Sequence, residues 1–322
     1  MKSWRVKVLH LIIVILSLCA TKNEAYNQLD YNYYETTCPF LEDIVRKEML
    51  SIIATDVSSP AAFLRLLFHD CQVQGCDASI LLNSKDSEMK CSKNFGIRKF
   101  EAIGKLKFVL EAACPRQVSC ADIIALAARD SVALSGGPSI QIPLGRKDSR
   151  TCSTKQADVH LPSTSIDVDQ LLQIFMSKGM NLRESVAILG GHTLGGGHCI
   201  NIVDRLYKPN PRDEMDPNFQ LALKLGCPTK IPMTNFTVIP NDITPTIFDN
   251  QYYRDIIMGK GLFSIDSTIS RDPRTMNIVN QFADDQELFF QAFSSAFVKL
   301  SSANVLTGNM GEVRLQCDQV NR

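Results

Sequence analysis

The chain has 322 residues, 45% of them hydrophobic, with 34 basic and 34 acidic side chains. This length fits one large domain or two lobes that share a core. The hydrophobic fraction argues against a disordered chain. The balanced charge offers no basic excess of the kind that nucleic-acid binding requires, so we expect no nucleic-acid partner.

The first 25 residues have the pattern of a targeting segment. Basic residues precede a short apolar run from Leu9 to Ala20, and Ala25 is a small residue suited to cleavage. A membrane span needs roughly 20 apolar residues, so we predict a cleaved signal peptide over residues 1–25 and one mature domain over residues 26–322. An uncleaved anchor is the alternative. No later stretch is long enough to span a bilayer, so we expect no membrane association after cleavage.

Cysteine content fits a secreted protein. Of the 11 cysteines, Cys19 would leave with the signal peptide, and an even number would remain. Disulfides persist in the oxidising compartments that secreted proteins enter. The spacings lack paired CxxC motifs, so a zinc site is a poor interpretation. Spacing alone leaves the connectivity open.

Helical spacing of apolar residues recurs along the chain and indicates mostly buried helix faces. Capping residues predict helix starts at Ser119, with Asp122, and at Asn181, with Glu184. Ile140–Leu144 is the best strand candidate. A proline-punctuated stretch from 208 to 245 predicts loops between helical segments. The apolar stripes lie in Leu41–Ile52, Ile123–Ala127, Val168–Phe175, Val186–Leu189 and Phe282–Phe297.

Two histidines have unusual surroundings. Arg65 lies four residues before His69 in an apolar run, so both side chains share one helix face. A cation and an imidazole that face an apolar cavity are costly unless they are used or paired. The alternative is a histidine at a helix end beside a surface arginine. His192 ends the helix that Asn181 opens, among glycines that would let a flat partner approach the backbone.

Together these segments resemble the class III family of secretory plant haem peroxidases. The stretch from Arg65 to Leu82 resembles the distal-helix signature, and Gly190 to Gly195 resembles the proximal-haem signature. Further matches lie near Cys38–Pro39, Val118–Asp122, Pro245–Asn250 and Leu306–Gly308. The resemblance implies an all-α fold, with two helical lobes that sandwich haem b and a minor short β element.

The resemblance also implies the catalytic roles. His192 would ligate the haem iron, and Asp266 would accept a hydrogen bond from its other ring nitrogen. His69 would act as the general base toward hydrogen peroxide, and Arg65 would stabilise the developing charge. Asn94 matches the asparagine that holds the distal histidine tautomer. Pro162 matches a proline at the entrance for small phenolic donors.

Two calcium ions are implied as well, since oxygen-only ligation suits this hard ion. Asn241 stands where the family has an aspartate, with Asp242 beside it. The distal ligands would be Asp70, Val73, Gly75, Asp77 and Ser79, with Glu88 reaching the ion through water. The proximal ligands would be Thr193, Asn241, Thr244, Ile247 and Asp249.

The family pattern pairs most of the cysteines. Cys91 and Cys152 match no family position, and we hypothesise that they form a fifth disulfide; two separate buried thiols are the alternative. The implied pairs are Cys38–Cys114, Cys71–Cys76, Cys120–Cys317 and Cys199–Cys227.

The sequence therefore predicts a monomeric enzyme that uses hydrogen peroxide to oxidise phenolic or related donors one electron at a time. We expect it outside the cell, in the cell wall or in the vacuole, with Asn235 as an N-glycosylation sequon. His160 and His198 are interpreted as surface or loop histidines. One alternative is a secreted helical protein that binds haem or calcium without turnover. Another is a metal-dependent hydrolase that uses histidines and aspartates.

Overall fold

A computed structural model describes residues 29–208, 214–231 and 237–322. The predicted signal peptide and Asn235 lie outside these ranges. Within them the fold is all-α, as predicted, with one small sheet. The helices are α1 (Leu41–Thr55), α2 (Ser59–Gln72), α3 (Phe100–Ala113), α4 (Cys120–Leu134), α5 (Thr154–His160), α6 (Val168–Met176), α7 (Leu182–Ala187), α8 (Val203–Tyr207), α9 (Pro217–Gly226), α10 (Gln251–Ile257), α11 (Ser264–Ile269), α12 (Met276–Asp284) and α13 (Gln286–Ser301).

Helix α4 is the centre of the first helix group. Every residue from Cys120 to Val132 is buried, and the charged ones among them, Asp122, Arg129 and Asp130, are held in ion pairs. Helices α1, α2 and α3 pack around it. Ser119 caps the helix by accepting a hydrogen bond from the Asp122 backbone N–H at 3.1 Å, which confirms the predicted start.

A second helix group is built around aromatic rings. Helices α7, α10, α12 and α13 pack on one another, and Asn181 and Glu184 form the predicted capping box at the start of α7. The predicted aromatic face is split, because Asp285 ends α12 and caps α13. The rings Phe248, Tyr253, Phe282, Phe289, Phe293 and Phe297 are fully buried there. Both groups share one continuous apolar cluster.

The strand prediction at Ile140–Leu144 is wrong. Ile140, Ile142 and Leu144 are buried in alternation, but only Leu144 pairs, in an isolated bridge with Asp30. The alternation therefore reflects packing on the core without a neighbouring strand. Instead, β1 (Gly196–His198) and β2 (Val238–Pro240) pair antiparallel, and β2 and α9 lie in the stretch that was predicted as loops.

All four implied disulfides are present and confirm those pairings: Cys38–Cys114, Cys71–Cys76, Cys120–Cys317 and Cys199–Cys227. The fifth is wrong, since Cys91 and Cys152 are free thiols. The Cys91 side chain packs with Ala157 and Leu161. The Cys152 sulfur instead lies 3.1 Å from the Ser84 hydroxyl. The two sulfurs therefore have separate surroundings. The alternative of two buried thiols holds for Cys91, whereas Cys152 is half-buried.

Two ion pairs are wholly inside the described part of the protein, Arg146–Asp122 and the longer Arg314–Asp148. Arg146 and Asp122 are both 0% exposed, with Nη1 and Oδ1 2.8 Å apart. Arg146 also donates to the Ser301 carbonyl, and Asp122 accepts from the Tyr34 hydroxyl at 2.7 Å. The pair thereby ties α4 to the end of α13. None of the described helices is both long and apolar enough to cross a membrane.

We expect Arg146→Met to lower the free energy of unfolding by ~3–5 kcal/mol, because it leaves the buried Asp122 carboxylate without its cation. Urea unfolding with intact disulfides measures the change. Arg274→Met is the matched control, since Arg274 makes its ion pairs with Asp169 and Asp272 at the surface. Equal destabilisation by the two variants would show that the buried pair contributes no more to the free energy of unfolding than the surface pairs do.

We also expect two free thiols in each chain that begins after residue 25. Cys152 is half-buried and Cys91 is buried, so a thiol reagent should modify Cys152 first and Cys91 only after denaturation. Burial raises the pKa of Cys152, which makes even this first reaction slow, since the thiolate is the reacting form. Titration before and after denaturation, with peptide mapping, tests this. Recovery of a 91–152 linked peptide would contradict it.

Candidate active site

The distal helix α2 brings Arg65 and His69 into direct contact. Arg65 Nε donates to His69 Nε2 over 3.2 Å, and Arg65 Nη2 donates to the Phe95 carbonyl over 3.0 Å. Burial lowers the pKa of Arg65 to about 10, so the side chain stays a cation at neutral pH. The guanidinium is half-buried and held on two sides, unlike the surface arginine of the alternative interpretation.

The His69 imidazole is fixed from its other side. Its Nδ1 lies 2.6 Å from Asn94 Oδ1, and Asn94 Nδ2 donates to the Glu88 carbonyl over 2.8 Å. Because the Asn94 amide donates to Glu88, its oxygen faces His69 and accepts the Nδ1 proton. Burial, followed by the nearby Arg65 charge, lowers the pKa of His69 to about 3. The ring is therefore neutral at ordinary pH, with Nε2 as its acceptor.

The second histidine, His192, lies in the helical turn Ile188–Thr193, which follows α7 directly. Its Nδ1 is 3.0 Å from Asp266 Oδ1. The Asp266 carboxylate is buried and also accepts from the Tyr252 hydroxyl at 2.9 Å and from the Phe263 backbone N–H at 2.8 Å. These bonds hold the carboxylate in place, and the carboxylate orients the imidazole. The side chain of His192 is 36% exposed, so Nε2 is the ring nitrogen left for a ligand.

These two histidines fit an iron-containing flat cofactor. An imidazole whose second nitrogen is held by a carboxylate is the usual arrangement for a metal-ligating histidine, and histidine is a common axial ligand of haem iron. The space beside Gly191 is open, since a Cβ there would meet nothing closer than Phe293 at 3.8 Å. The donor set and this opening therefore suit haem on the His192 side.

The other glycines of this segment serve protein packing instead. A Cβ on Gly190 would lie 2.4 Å from the Phe289 ring. A Cβ on Gly195, where φ is +82°, would lie 2.5 Å from the Ala61 Cβ on the distal helix. Gly190 and Gly195 thus allow the His192 turn to pack closely against other parts of the protein. The sequence predicted instead that these glycines leave room for a flat partner.

Acidic side chains cluster directly after His69. Asp70 Oδ2 accepts from the Ala78 backbone N–H at 3.0 Å, and Asp77 Oδ1 accepts from the Ser79 N–H at 3.0 Å. Oxygen atoms of Asp70, Ser79 and Glu88 are buried with no hydrogen-bond partner among the described residues. Burial raises the pKa of Asp70 well above its ordinary value, with Asp77 adding repulsion, and raises that of Glu88 to about 7. A cation would satisfy these oxygens.

Residue Gly75 explains the shape of the loop after Cys71. Its φ is +148°, and a Cβ would lie 2.0 Å from the Asn304 carbonyl oxygen. Only glycine fits this position. The loop thereby packs against the backbone that follows α13, while the Cys71–Cys76 bond ties it to α2.

A second oxygen cluster lies after His192. Thr193 Oγ1 is 2.7 Å from Asp242 Oδ2 and 3.1 Å from Asp249 Oδ1. Thr244 Oγ1 reaches the same two carboxylates at 3.3 and 3.2 Å. Burial, with repulsion from Asp249, raises the pKa of Asp242 to about 6. Two carboxylates and two hydroxyls could therefore share a cation.

Asn241 and Asp242 have different partners at this cluster. The Asn241 Nδ2 donates to the Leu194 carbonyl over 3.1 Å, while its Oδ1 is buried without a hydrogen-bond partner among the described residues. Asp242 Oδ2 lies 2.7 Å from Thr193 Oγ1. The Asp-x-Thr spacing of Asp242 and Thr244 is a turn signal that could have indicated the aspartate. Ile247 could contribute only its backbone carbonyl, since its side chain has no oxygen atom. Its N–H donates to the Thr244 carbonyl at 2.8 Å, and its side chain is exposed.

The remaining histidines differ from each other. His160 is exposed, as predicted. His198 is half-buried at the end of β1, with its ring centroid 5.2 Å from that of Phe95. A Cβ on Gly96 would lie 2.8 Å from His198 Nε2 and 3.2 Å from Arg65 Nη1. His198 therefore borders the distal site, beside Arg65.

No group of three or more His, Cys, Asp or Glu side chains among residues 29–208, 214–231 and 237–322 has the arrangement of a metal site. The hydrolase alternative, which needs histidines and aspartates converging on one ion, finds no support in this part of the chain. The second oxygen cluster differs from such a site because it combines two carboxylates with two threonine hydroxyls.

Comparison with known proteins agrees with this geometry. A family model described as peroxidase matches residues 45–285. Peroxidase 29 of Arabidopsis thaliana is 53% identical over 309 residues, covering 93% of this chain and 90% of its own. The basic peroxidase of Zinnia elegans is 41% identical over 292 residues, covering 90% and 89%. This chain therefore belongs to the plant secretory peroxidase family, whose members oxidise substrates with hydrogen peroxide.

Proposed function

We propose that this enzyme binds haem b through His192 and uses His69 and Arg65 to cleave hydrogen peroxide, with small phenols as electron donors. The observation that carries the proposal is that a side-chain oxygen holds the Nδ1 atom of each histidine. Asn94 lies 2.6 Å from Nδ1 of His69, and Asp266 lies 3.0 Å from Nδ1 of His192. Each ring therefore presents Nε2, one as a base and one as a ligand.

In this mechanism His69 Nε2 takes a proton from hydrogen peroxide and returns it to the departing oxygen, which leaves as water. Its low pKa keeps Nε2 unprotonated, and peroxide would replace Arg65 Nε as the donor to this nitrogen. Arg65, 3.2 Å away, stabilises the negative charge that develops on that oxygen. Asn94 keeps the proton on Nδ1. Haem, when bound, supplies the electrons for O–O cleavage and recovers them from two donor molecules in turn.

We further propose calcium at both oxygen clusters, with Asp242 in the position expected for Asn241. The distal ion would take Asp70, Asp77, Ser79 and the Val73 and Gly75 carbonyls, with Glu88 through water. The proximal ion would take Thr193, Thr244, Asp249 and the Ile247 carbonyl in addition to Asp242. The buried, mutually repelling carboxylates of each cluster support a cation there.

The disulfides also favour an enzyme that is exported. Disulfides persist in oxidising compartments, and four of them close this fold. We propose that residues 1–25 are removed and that the enzyme works in the cell wall or the vacuole. Pro162, which follows the buried Leu161, would border the entrance for donors.

The test of the mechanism is His69→Leu, with His160→Leu as a matched control at an exposed histidine. Loss of the general base should slow the reaction with peroxide by roughly 10²–10⁴-fold, whereas the control keeps the parent rate. Rapid mixing of haem-loaded protein with peroxide measures the step. An unchanged rate in His69→Leu would contradict the role of His69. Haem binding without turnover in the parent protein would favour the rival, a non-enzymatic binding protein.

The calcium proposal predicts two ions per chain by metal analysis. Asp242→Asn should remove one ion, because it removes a ligand charge, whereas Asn241→Ala should keep both. Chelation should lower the thermal midpoint, since an ion held at a hundred times its Kd stabilises by about 2.7 kcal/mol. Loss of an ion in Asn241→Ala but not in Asp242→Asn would reverse the assignment.

A further inference from the structure

Backbone carbonyls at the end of α5 are bound by side chains from the distal site. The last carbonyls of a helix have no partner within it. Lys93 Nζ lies 2.5 Å from the Asp158 carbonyl and 2.8 Å from that of Leu161. Gln72 Nε2 donates to the His160 carbonyl over 3.2 Å. An ammonium group at a helix C-terminus is also favoured by the helix dipole.

Both donors belong to the elements that hold the catalytic side chains. Gln72 follows His69 by three residues and Arg65 by seven on α2, so it extends the same helix face. Lys93 directly precedes Asn94, and its own carbonyl lies 3.4 Å from Arg65 Nη2. These two side chains therefore join the group formed by Arg65, His69 and Asn94 to the Leu161–Pro162 segment.

The start of α5 is held separately, because the Thr154 backbone N–H donates to the Asp86 carbonyl and the Thr154 hydroxyl donates to the Ser87 carbonyl. At the other end, Leu161 is buried in a small apolar cluster with Val73, Cys91 and Ala157 that is separate from the main core. No disulfide among the described residues fastens this end, because Cys91 and Cys152 are free thiols. The hydrogen bonds from Lys93 and Gln72 are therefore the polar contacts that tie this end of α5 to the elements around His69.

We propose that Lys93 and Gln72 form a clamp that positions the Leu161–Pro162 segment and thereby sets the affinity for the electron donor. The clamp rests on the proposed function, in which Pro162 borders the donor entrance. Neither residue touches peroxide or donor, so both are positioning residues. Their loss should change the donor step and leave the peroxide step intact, because Arg65, His69 and Asn94 keep their own contacts.

The experiment compares Lys93→Met, which removes both bonds, with Lys93→Arg, which keeps donors at this position. The control is Lys90→Met in the neighbouring turn, where the exposed Lys90 donates only locally to the Lys85 carbonyl. We expect the KM for a small monophenol to rise on the order of tenfold in Lys93→Met, as misplacement of a substrate-positioning group predicts. The rate constant with peroxide should stay unchanged, Lys93→Arg should recover the KM, and Gln72→Leu should act in the same direction.

Amide hydrogen exchange of residues 157–161 gives a readout that is independent of activity. Exchange should quicken in Lys93→Met and stay as in the parent protein in Lys90→Met. Unchanged exchange would overturn the clamp whether or not the protein is an active peroxidase. Faster exchange with an unchanged KM would overturn the role in donor affinity. A parent protein that oxidises no phenol would instead refute the proposed function.

Discussion

The hydrogen bond between His69 and Asn94 is the contact on which the distal half of the molecule depends. Asn94 is fully buried, so water cannot replace its partners, and an unmade bond would leave polar groups unsatisfied. Its amide is shared between His69 and the Glu88 carbonyl. One side chain thus sets the histidine tautomer, joins α2 to the turns Glu88–Lys90 and Ser92–Asn94, and places Lys93 within reach of α5.

Buried charge concentrates around this contact. Asp70 follows His69 directly, and burial, together with repulsion from Asp77 and Glu88, raises its pKa. Such an arrangement is costly without a cation. The Asp122–Arg146 pair solves the same problem inside the protein with a counter-charge of its own. Asp77 interacts with the positive charge of Arg314, whereas Asp70 and Glu88 are repelled by their acidic neighbours. An ion bound there would therefore couple the position of His69 to ion occupancy.

The sequence predicted the features that follow from periodic burial of apolar residues and from family motifs. Helix stripes were confirmed because each must bury an apolar face. The strand at Ile140–Leu144 failed because alternation records burial and says nothing about a pairing partner. Asp242 was missed for a related reason: on irregular backbone, the neighbours Asn241 and Asp242 point to different partners, which no spacing rule fixes. The contact of His198 with Phe95 and the burial of the free Cys91 thiol likewise depend on long-range packing.

Glycines around His192 show how the two halves are brought together. Gly190 admits the Phe289 ring and Gly195 admits Ala61 of the distal helix, each at a distance that a Cβ would forbid. The turn that carries His192 is therefore seated between the aromatic core of one helix group and a helix of the other. Because these contacts are made within the protein, packing between the two helix groups itself fixes the turn of His192 relative to the helix of His69. A site held by such packing loses less free energy to ordering when it binds a partner.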